Sequence, residues 1–124
     1  MTAPPVPVPS VVEVREGPAL LAGARDSATL TSHRIRYGPL PDLDLATLTA
    51  TVEQAAVRGR GGAGFPFATK LSAAARRRHA VVVVNLSEGE PASAKDHALA
   101  TTCPHLVLDG AVVTARALRA REVH

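Results

Sequence analysis

Apolar residues recur at helical spacing from Leu45 through Leu48 and Val52 to Ala55 and Ala56, behind an Asp44 that can cap a helix start. This pattern predicts a helix that runs to a stop signal at Gly59. A second helix is expected over residues 67–78, which are rich in good helix formers and basic at the end, where cations complement the negative pole of the backbone dipoles. Residues 80–85 form a continuous β-branched apolar run, which suits a strand covered on both faces as in parallel sheets. The polar stretch 86–91 follows as a loop at the strand's carboxyl end, the edge where open α/β sheets hold ligands. Pro104 opens a last helix that carries Val107, Ala111, Ala115 and Leu118 inward, with His105 in its first turn and Cys103 as a buried or capping residue before it.

Ahead of these elements the pattern is weaker. Residues 1–10 hold four prolines and are expected to be a disordered lead, because proline favours extended backbone and supplies little to a core. Residues 11–43 form an irregular segment, with a short helical stretch expected at 19–24 and a turn-forming break at 38–42. Residues 44–124 are then one partial α/β domain. Residues 121–124 follow a helix at the place where an α/β unit normally delivers its next strand. The domain is therefore expected to be incomplete, with a strand edge left for more chain or a partner. Internal repeats are absent.

Composition narrows the picture. At 124 residues the chain suits one domain with a modest core, and with two Phe, one Tyr and no Trp that core must be built from small side chains. A single cysteine, Cys103, excludes a disulfide framework or a Cys-rich zinc or iron–sulfur site within these residues, and makes a reducing cytoplasmic setting the default. No apolar stretch approaches the roughly 20 residues of a membrane span, so the chain reads as soluble. The net charge is +3, and six of the fourteen basic residues (Arg58, Arg60, Lys70, Arg76, Arg77 and Arg78) lie in one stretch.

That stretch surrounds Gly59-Arg60-Gly61-Gly62-Ala63-Gly64-Phe65-Pro66, with Lys70 just beyond. Glycines let the main chain approach a ligand and aim its amides at it, the flanking cations favour an anion, and a helix starting near Pro66 would add its positive end. The phosphate of a nucleotide or flavin is the natural ligand, against the plainer reading of a flexible loop. Residues 59–64 match G-x-G-x-x-G formally, but a helix precedes them where a dinucleotide fold requires a strand, so the ordinary Rossmann reading fails on context. Glu88 and Glu90 leave the strand end two residues apart. They fit either solvated surface or acceptors for ribose hydroxyls, a flavin ring or a hydride donor. Lys95-Asp96 reads as a helix-start ion pair of small worth, Arg76–Arg78 as a solvated helix end rather than a nucleic-acid surface, and His79, His97 and His105 lack metal-ligand spacing.

Taken together, residues 58–66, Lys70, the segment 85–91 (Asn-Leu-Ser-Glu-Gly-Glu-Pro), Lys95-Asp96 and Pro104-His105-Leu106 resemble the flavoprotein, NADH-binding subunit of respiratory complex I and its relatives in NAD-linked hydrogenases and formate dehydrogenases. The resemblance covers residues 57–120. It implies a partial Rossmann-like FMN-binding domain, with FMN phosphate held by the backbone of Gly59, Gly61 and Gly62 beside Arg60 and Lys70. Asn85, Ser87 and Glu88 would face the flavin, Phe65 would stack on the adenine of NADH, and Glu90 would lie near the nicotinamide. Hydride would pass from NADH to FMN without a catalytic side chain or a metal. The 4Fe-4S cluster belongs to the full-length family only, and the implied partners are NADH and other parts of a redox complex on the cytoplasmic face of a membrane, with no nucleic acid. Three positions depart from the family pattern: Leu71 stands for a usual Trp, Ala73 for a second adenine-stacking Phe, and Ser87 for a usual Asp. These departures keep open a reading as a non-catalytic nucleotide-binding, phosphate-binding or subunit-interaction module.

Overall fold

The protein's structure, a computed structural model, describes residues 28–60, 63–90 and 92–124. The proline-rich lead, the helix expected at 19–24, Gly61, Gly62 and Pro91 lie outside the described residues. Among the described residues the order is α1 (Leu30–Tyr37), α2 (Leu45–Gln54), α3 (Phe67–Ala75), β1 (Val81–Val82), α4 (Lys95–Thr102), α5 (Pro104–Leu118) and β2 (Glu122–Val123). Helices with a small parallel sheet are consistent with an α/β chain. The chain divides into two units, Met1–Pro39 with Asn85–Leu108, and Leu40–Val84 with Asp109–His124.

In the second unit α2 starts where the sequence places it. The Asp44 carboxylate accepts the Thr47 N–H at 2.8 Å, which satisfies one of the orphan donors of the first turn. That same N–H holds the Asp44 carboxyl below its ordinary range. The helix ends before the expected stop at Gly59. Ala56 takes a left-handed φ of 49°, its N–H donates to Glu53 O, and the Val57 N–H reaches back to Val52 O at 2.9 Å. This is a Schellman closure with alanine in the position that usually holds glycine. Ala55 and Ala56 therefore lie outside the helix and are exposed, not inward as their spacing suggested. α5 closes in the same way at Arg119 (φ 50°), with Ala120 N–H donating to Ala115 O at 2.8 Å.

α3 is also shorter than expected. It ends at Ala75, and Arg76, Arg77 and Arg78 follow as exposed residues before His79 turns the chain with a φ of 60°. α2 packs against α3 through Leu48 and Leu71, which with Val113 of α5 form the buried centre; Leu40, Leu43, Leu45, Val52, Phe67, Ala117 and Leu118 pack around it. Of the residues expected to face inward on α5, Ala111 is buried and Val107, Ala115 and Leu118 are half-buried.

The sheet corrects two expectations. Only Val81 and Val82 of the apolar run 80–85 have ladder partners, Glu122 and Val123, in parallel register. Val81 and Val83 are 49% and 69% exposed, so the run is not covered on both faces. A β-branched run favours extended backbone, but a strand exists only where a neighbour supplies hydrogen bonds. The second correction concerns residues 121–124. They are themselves the next strand, held by Arg121 N–H to Ala80 O, His124 N–H to Val82 O and Val84 N–H to His124 O at 2.7–2.9 Å.

In the first unit α1 occupies a stretch expected to be irregular. Thr29 caps it by accepting the Ser32 N–H at 3.1 Å, and Gly38, with φ 78°, ends it. Its polarity is inverted: His33 is fully buried while Ile35 is 82% exposed. The His33 ring lies against Tyr37 at 4.9 Å and against His105 of α5 at 5.5 Å between centroids. Cys103, fully buried, is both the C-cap of α4 and the start of the turn into α5, and the two helix axes bend by 94° there. Among the described residues no single helix is long and apolar enough to cross a membrane.

Leu71 tests the core most directly. Leu71→Ala removes a side chain that is 2% exposed and is expected to destabilise the protein by about 2–4 kcal/mol, seen as a lower urea midpoint in circular dichroism. Ser72→Ala on the exposed side of the same helix should move the midpoint by less than about 0.5 kcal/mol equivalent.

Candidate functional site

The glycine run leaves the closure of α2 and returns at the start of α3, and its base is tied twice. Phe67 N–H donates to Val57 O and Gly59 N–H donates to Phe65 O, both at 2.9 Å, around an antiparallel bridge between Arg58 and Pro66. Gly59 therefore does not offer its amide to a ligand. Its contribution is the missing side chain: a Cβ at this position would stand 3.6 Å from Phe65 O and 3.9 Å from Lys70 Nζ. The lysine ammonium thus sits over bare backbone. Gly64 favours glycine for a different reason, a φ of 57° that L side chains rarely adopt. Arg58 Nη1 reaches the Gly64 carbonyl at 3.5 Å.

α3 begins at the exit of this loop, and its positive end is not neutralised locally. Pro66 supplies no side-chain cap, and the first turn holds no acidic residue. A helix start without its own carboxylate favours an external anion, and Arg58, Arg60 and Lys70 are all exposed beside it in sequence. Phe65 is 47% exposed. Leu71 is a core residue, while Ala73 is exposed. A separate cleft of about 800 Å³ lies between the start of α2 and the end of α5, lined by Asp42, Asp44, Arg116 and Arg119 among others. It contains none of the residues expected to hold a ligand, and its polar walls are a helix cap and a helix end.

The remaining expected residues belong to the first unit. Asn85 Oδ1 accepts both the Ser87 N–H at 2.8 Å and the Ser87 hydroxyl at 2.6 Å, forming a compact Asx turn at the end of β1. Glu88 is engaged by α4: its Oε1 accepts Lys95 Nζ at 2.9 Å and its Oε2 accepts the Asp96 N–H at 2.8 Å. Lys95 Nζ also donates to Asp96 Oδ2 at 3.1 Å. Glu90 is exposed, and its carbonyl accepts the Ser93 N–H at 2.9 Å. Sequence spacing identified the Lys95-Asp96 pair but not its partner, because a contact across a loop leaves no periodic signal. Among the described residues no three of His, Cys, Asp and Glu converge where they could hold a metal ion.

These contacts set the titration of the loop. Hydrogen bonding from Lys95, then from the Asp96 N–H, lowers the Glu88 carboxyl from 4.5, and hydrogen bonding to Glu88, then Asp96, raises Lys95 from 10.5. A lowered carboxyl stabilises the fold fully above 4.5 and loses that contribution as pH falls through its folded value. A raised lysine contributes fully below 10.5 and loses it as pH rises through its own folded value. The contact should therefore be constant between pH 4.5 and 10.5 and fail on acidification. In a carbon-detected NMR titration the Glu88 carboxyl is expected to titrate below 4.5, with the Asp96 amide shift following the same midpoint.

Comparison with known proteins identifies the family. An NADH-quinone oxidoreductase subunit of Mycobacterium tuberculosis (strain ATCC 25618 / H37Rv) is 41% identical over 76 residues, covering 56% of this chain and 17% of the relative. The subunit of the same name in Rhodobacter capsulatus is 36% identical over 76 residues, covering 59% and 18%. The NAD-reducing hydrogenase HoxS subunit alpha of Cupriavidus necator is 32% identical over 109 residues, covering 86% and 17%. The chain thus spans 17–18% of the length of these relatives. The family model of the Nuo51 FMN-binding domain matches residues 52–124, which include the glycine loop, the Asx turn, Glu88 and both strands. The chain belongs to the Nuo51 FMN-binding domain family.

Proposed function

We propose that this chain is the FMN-binding part of an NADH dehydrogenase-type flavoprotein, built as a partial Rossmann-like domain that serves within a longer polypeptide or a redox complex. Family membership supports the cofactor class. The observation that carries the reading is the bare backbone at Gly59 beneath Lys70 Nζ, beside a helix start with no acidic cap. A dianionic phosphate suits an ammonium over bare backbone beside a helix whose first turn carries no acidic residue.

In this reading Gly61 and Gly62 donate amides to the phosphate, Gly59 gives it room, and Arg60 and Lys70 balance its charge. Asn85 and Ser87 face the flavin, and Glu88 belongs to the same cofactor-binding segment. Phe65 offers a half-exposed ring for the adenine of NADH, and Glu90 an exposed carboxylate for the nicotinamide end. FMN, when bound, supplies the hydride-accepting ring; the side chains bind, orient and tune, and none acts as a nucleophile. The reaction, the onward electron acceptor and a place on the cytoplasmic face of a membrane complex belong to the same proposal. The family's 4Fe-4S cluster would lie outside these residues.

One observation favours a second reading, a subunit-interaction or phosphate-binding module without redox work. The small sheet leaves Val81, Val83 and Val123 exposed, an apolar surface suited to contact.

Equilibrium titration with FMN, followed by flavin fluorescence and then by anaerobic addition of NADH, separates the two. The leading reading expects saturable binding at micromolar FMN and bleaching of the flavin by NADH. Lys70→Ala should weaken FMN binding about five- to tenfold, while the exposed Arg78→Ala leaves it unchanged. Binding without bleaching would favour the second reading, and no binding at micromolar FMN would overturn the first.

A further inference from the structure

We infer that Glu88 is a positioning residue: with Lys95 and Asp96 it fastens the 85–90 loop to the first turn of α4 and so fixes where Asn85 and Ser87 stand. As a statement about flavin binding this rests on the function proposed above. As a statement about the loop it rests on the contacts alone.

The need for such a fastening comes from α4 itself. Its N-cap position is Ala94, which has no side-chain acceptor, so the donors of the first turn must be met from elsewhere. Among the described residues the Lys95 N–H makes a long contact, to Ser93 Oγ at 3.5 Å. Glu88, eight residues upstream of Asp96, supplies the missing cap through Oε2 at 2.8 Å. A negative charge at a helix start also complements the macrodipole. Lys95 closes the arrangement by holding Glu88 Oε1 at 2.9 Å and Asp96 Oδ2 at 3.1 Å, which keeps two carboxylates side by side without repulsion.

Both Glu88 oxygens are thus occupied, and the side chain is 20% exposed while that of Lys95 is 50% exposed. A carboxylate with two charge-assisted or backbone donors loses both if it swings toward another ligand. At the other end of the same loop the Asn85 side chain is tied to Ser87. The loop is therefore pinned at two points, an Asx turn next to β1 and a carboxylate latch on α4, with Gly89 between the latch and Glu90. Direct contact with the flavin falls to the Asn85 and Ser87 end, and Glu88 acts through the placement of that end. Lys95 and Asp96 gain a role in the site although neither touches its ligand.

The test is a double-mutant cycle on the whole chain, with FMN as the probe. Glu88→Gln and Lys95→Met should each weaken FMN binding by about threefold, and the double variant by no more than either alone, because both remove one contact. Lys95→Arg, which keeps the cation, should restore binding. Both single variants should also shift the Asp96 amide resonance, and Lys95→Met should raise the Glu88 carboxyl midpoint. A loss confined to Glu88→Gln, or losses that multiply in the double variant, would mean that Glu88 meets the flavin directly and would overturn the inference. Should the unmodified chain bind no FMN, the proposed function fails and the NMR readouts still decide the latch. A Glu88 midpoint that rises in Lys95→Met supports it, and an unmoved midpoint and Asp96 amide refute it.

Discussion

The packing of Leu48 on Leu71 is the constraint on which the glycine loop depends. α2 and α3 are held together by this contact, so the chain that leaves one helix and enters the other is brought back to a fixed place. Val57 and Phe67 join there, then Gly59 and Phe65. A glycine-rich segment has a large entropy to lose, and a rigid base removes part of it before any ligand arrives. The core that does this is small, aliphatic and nearly free of aromatic rings, so each methyl group in it matters more than in a larger domain.

The same economy shapes the segment after β1. The loop after β1 has no core of its own and is ordered by polar contacts, Asn85 to Ser87 and Glu88 to the start of α4. Two acidic residues that look equivalent in the sequence are therefore different in kind. Glu88 is committed to a helix that cannot cap itself, whereas Glu90 remains exposed. The glycine loop is cationic and uncapped by acids, and the loop after β1 has spent its nearer carboxylate internally.

Elements governed by ordinary polarity were legible before the structure. Asp44 marked the start of α2, and Pro104 with Val107, Ala111 and Ala115 marked α5. Where the rules inverted, the pattern misled. α1 hides a histidine and exposes Ile35, so no hydrophobic period betrays it. α2 and α5 end on Ala56 and Arg119 in left-handed backbone, where a search for glycine finds nothing. The four valines before Asn85 promised a longer, doubly covered strand, yet the ladder extends only as far as Glu122 and Val123 provide partners. Within the site, the glycines, Lys70 and the Asn85 to Glu90 segment were readable as types, because composition and order carry that information. Their commitments were not: the Gly59 amide is used inside the loop, Leu71 lies in the core, and Glu88 belongs to α4. Each of these depends on a partner distant in sequence, which no local pattern encodes.

The phosphate cradle is most directly tested by comparing FMN with riboflavin, which carries the same ring and no phosphate, in amide NMR titrations of the whole chain. If the glycine loop and the start of α3 hold the phosphate, FMN should shift the amides of Gly61, Gly62, Ala63 and Ala68 and saturate, while riboflavin leaves them in place. Equal shifts from both ligands, or FMN shifts confined to residues outside the loop, would contradict a phosphate cradle at this position.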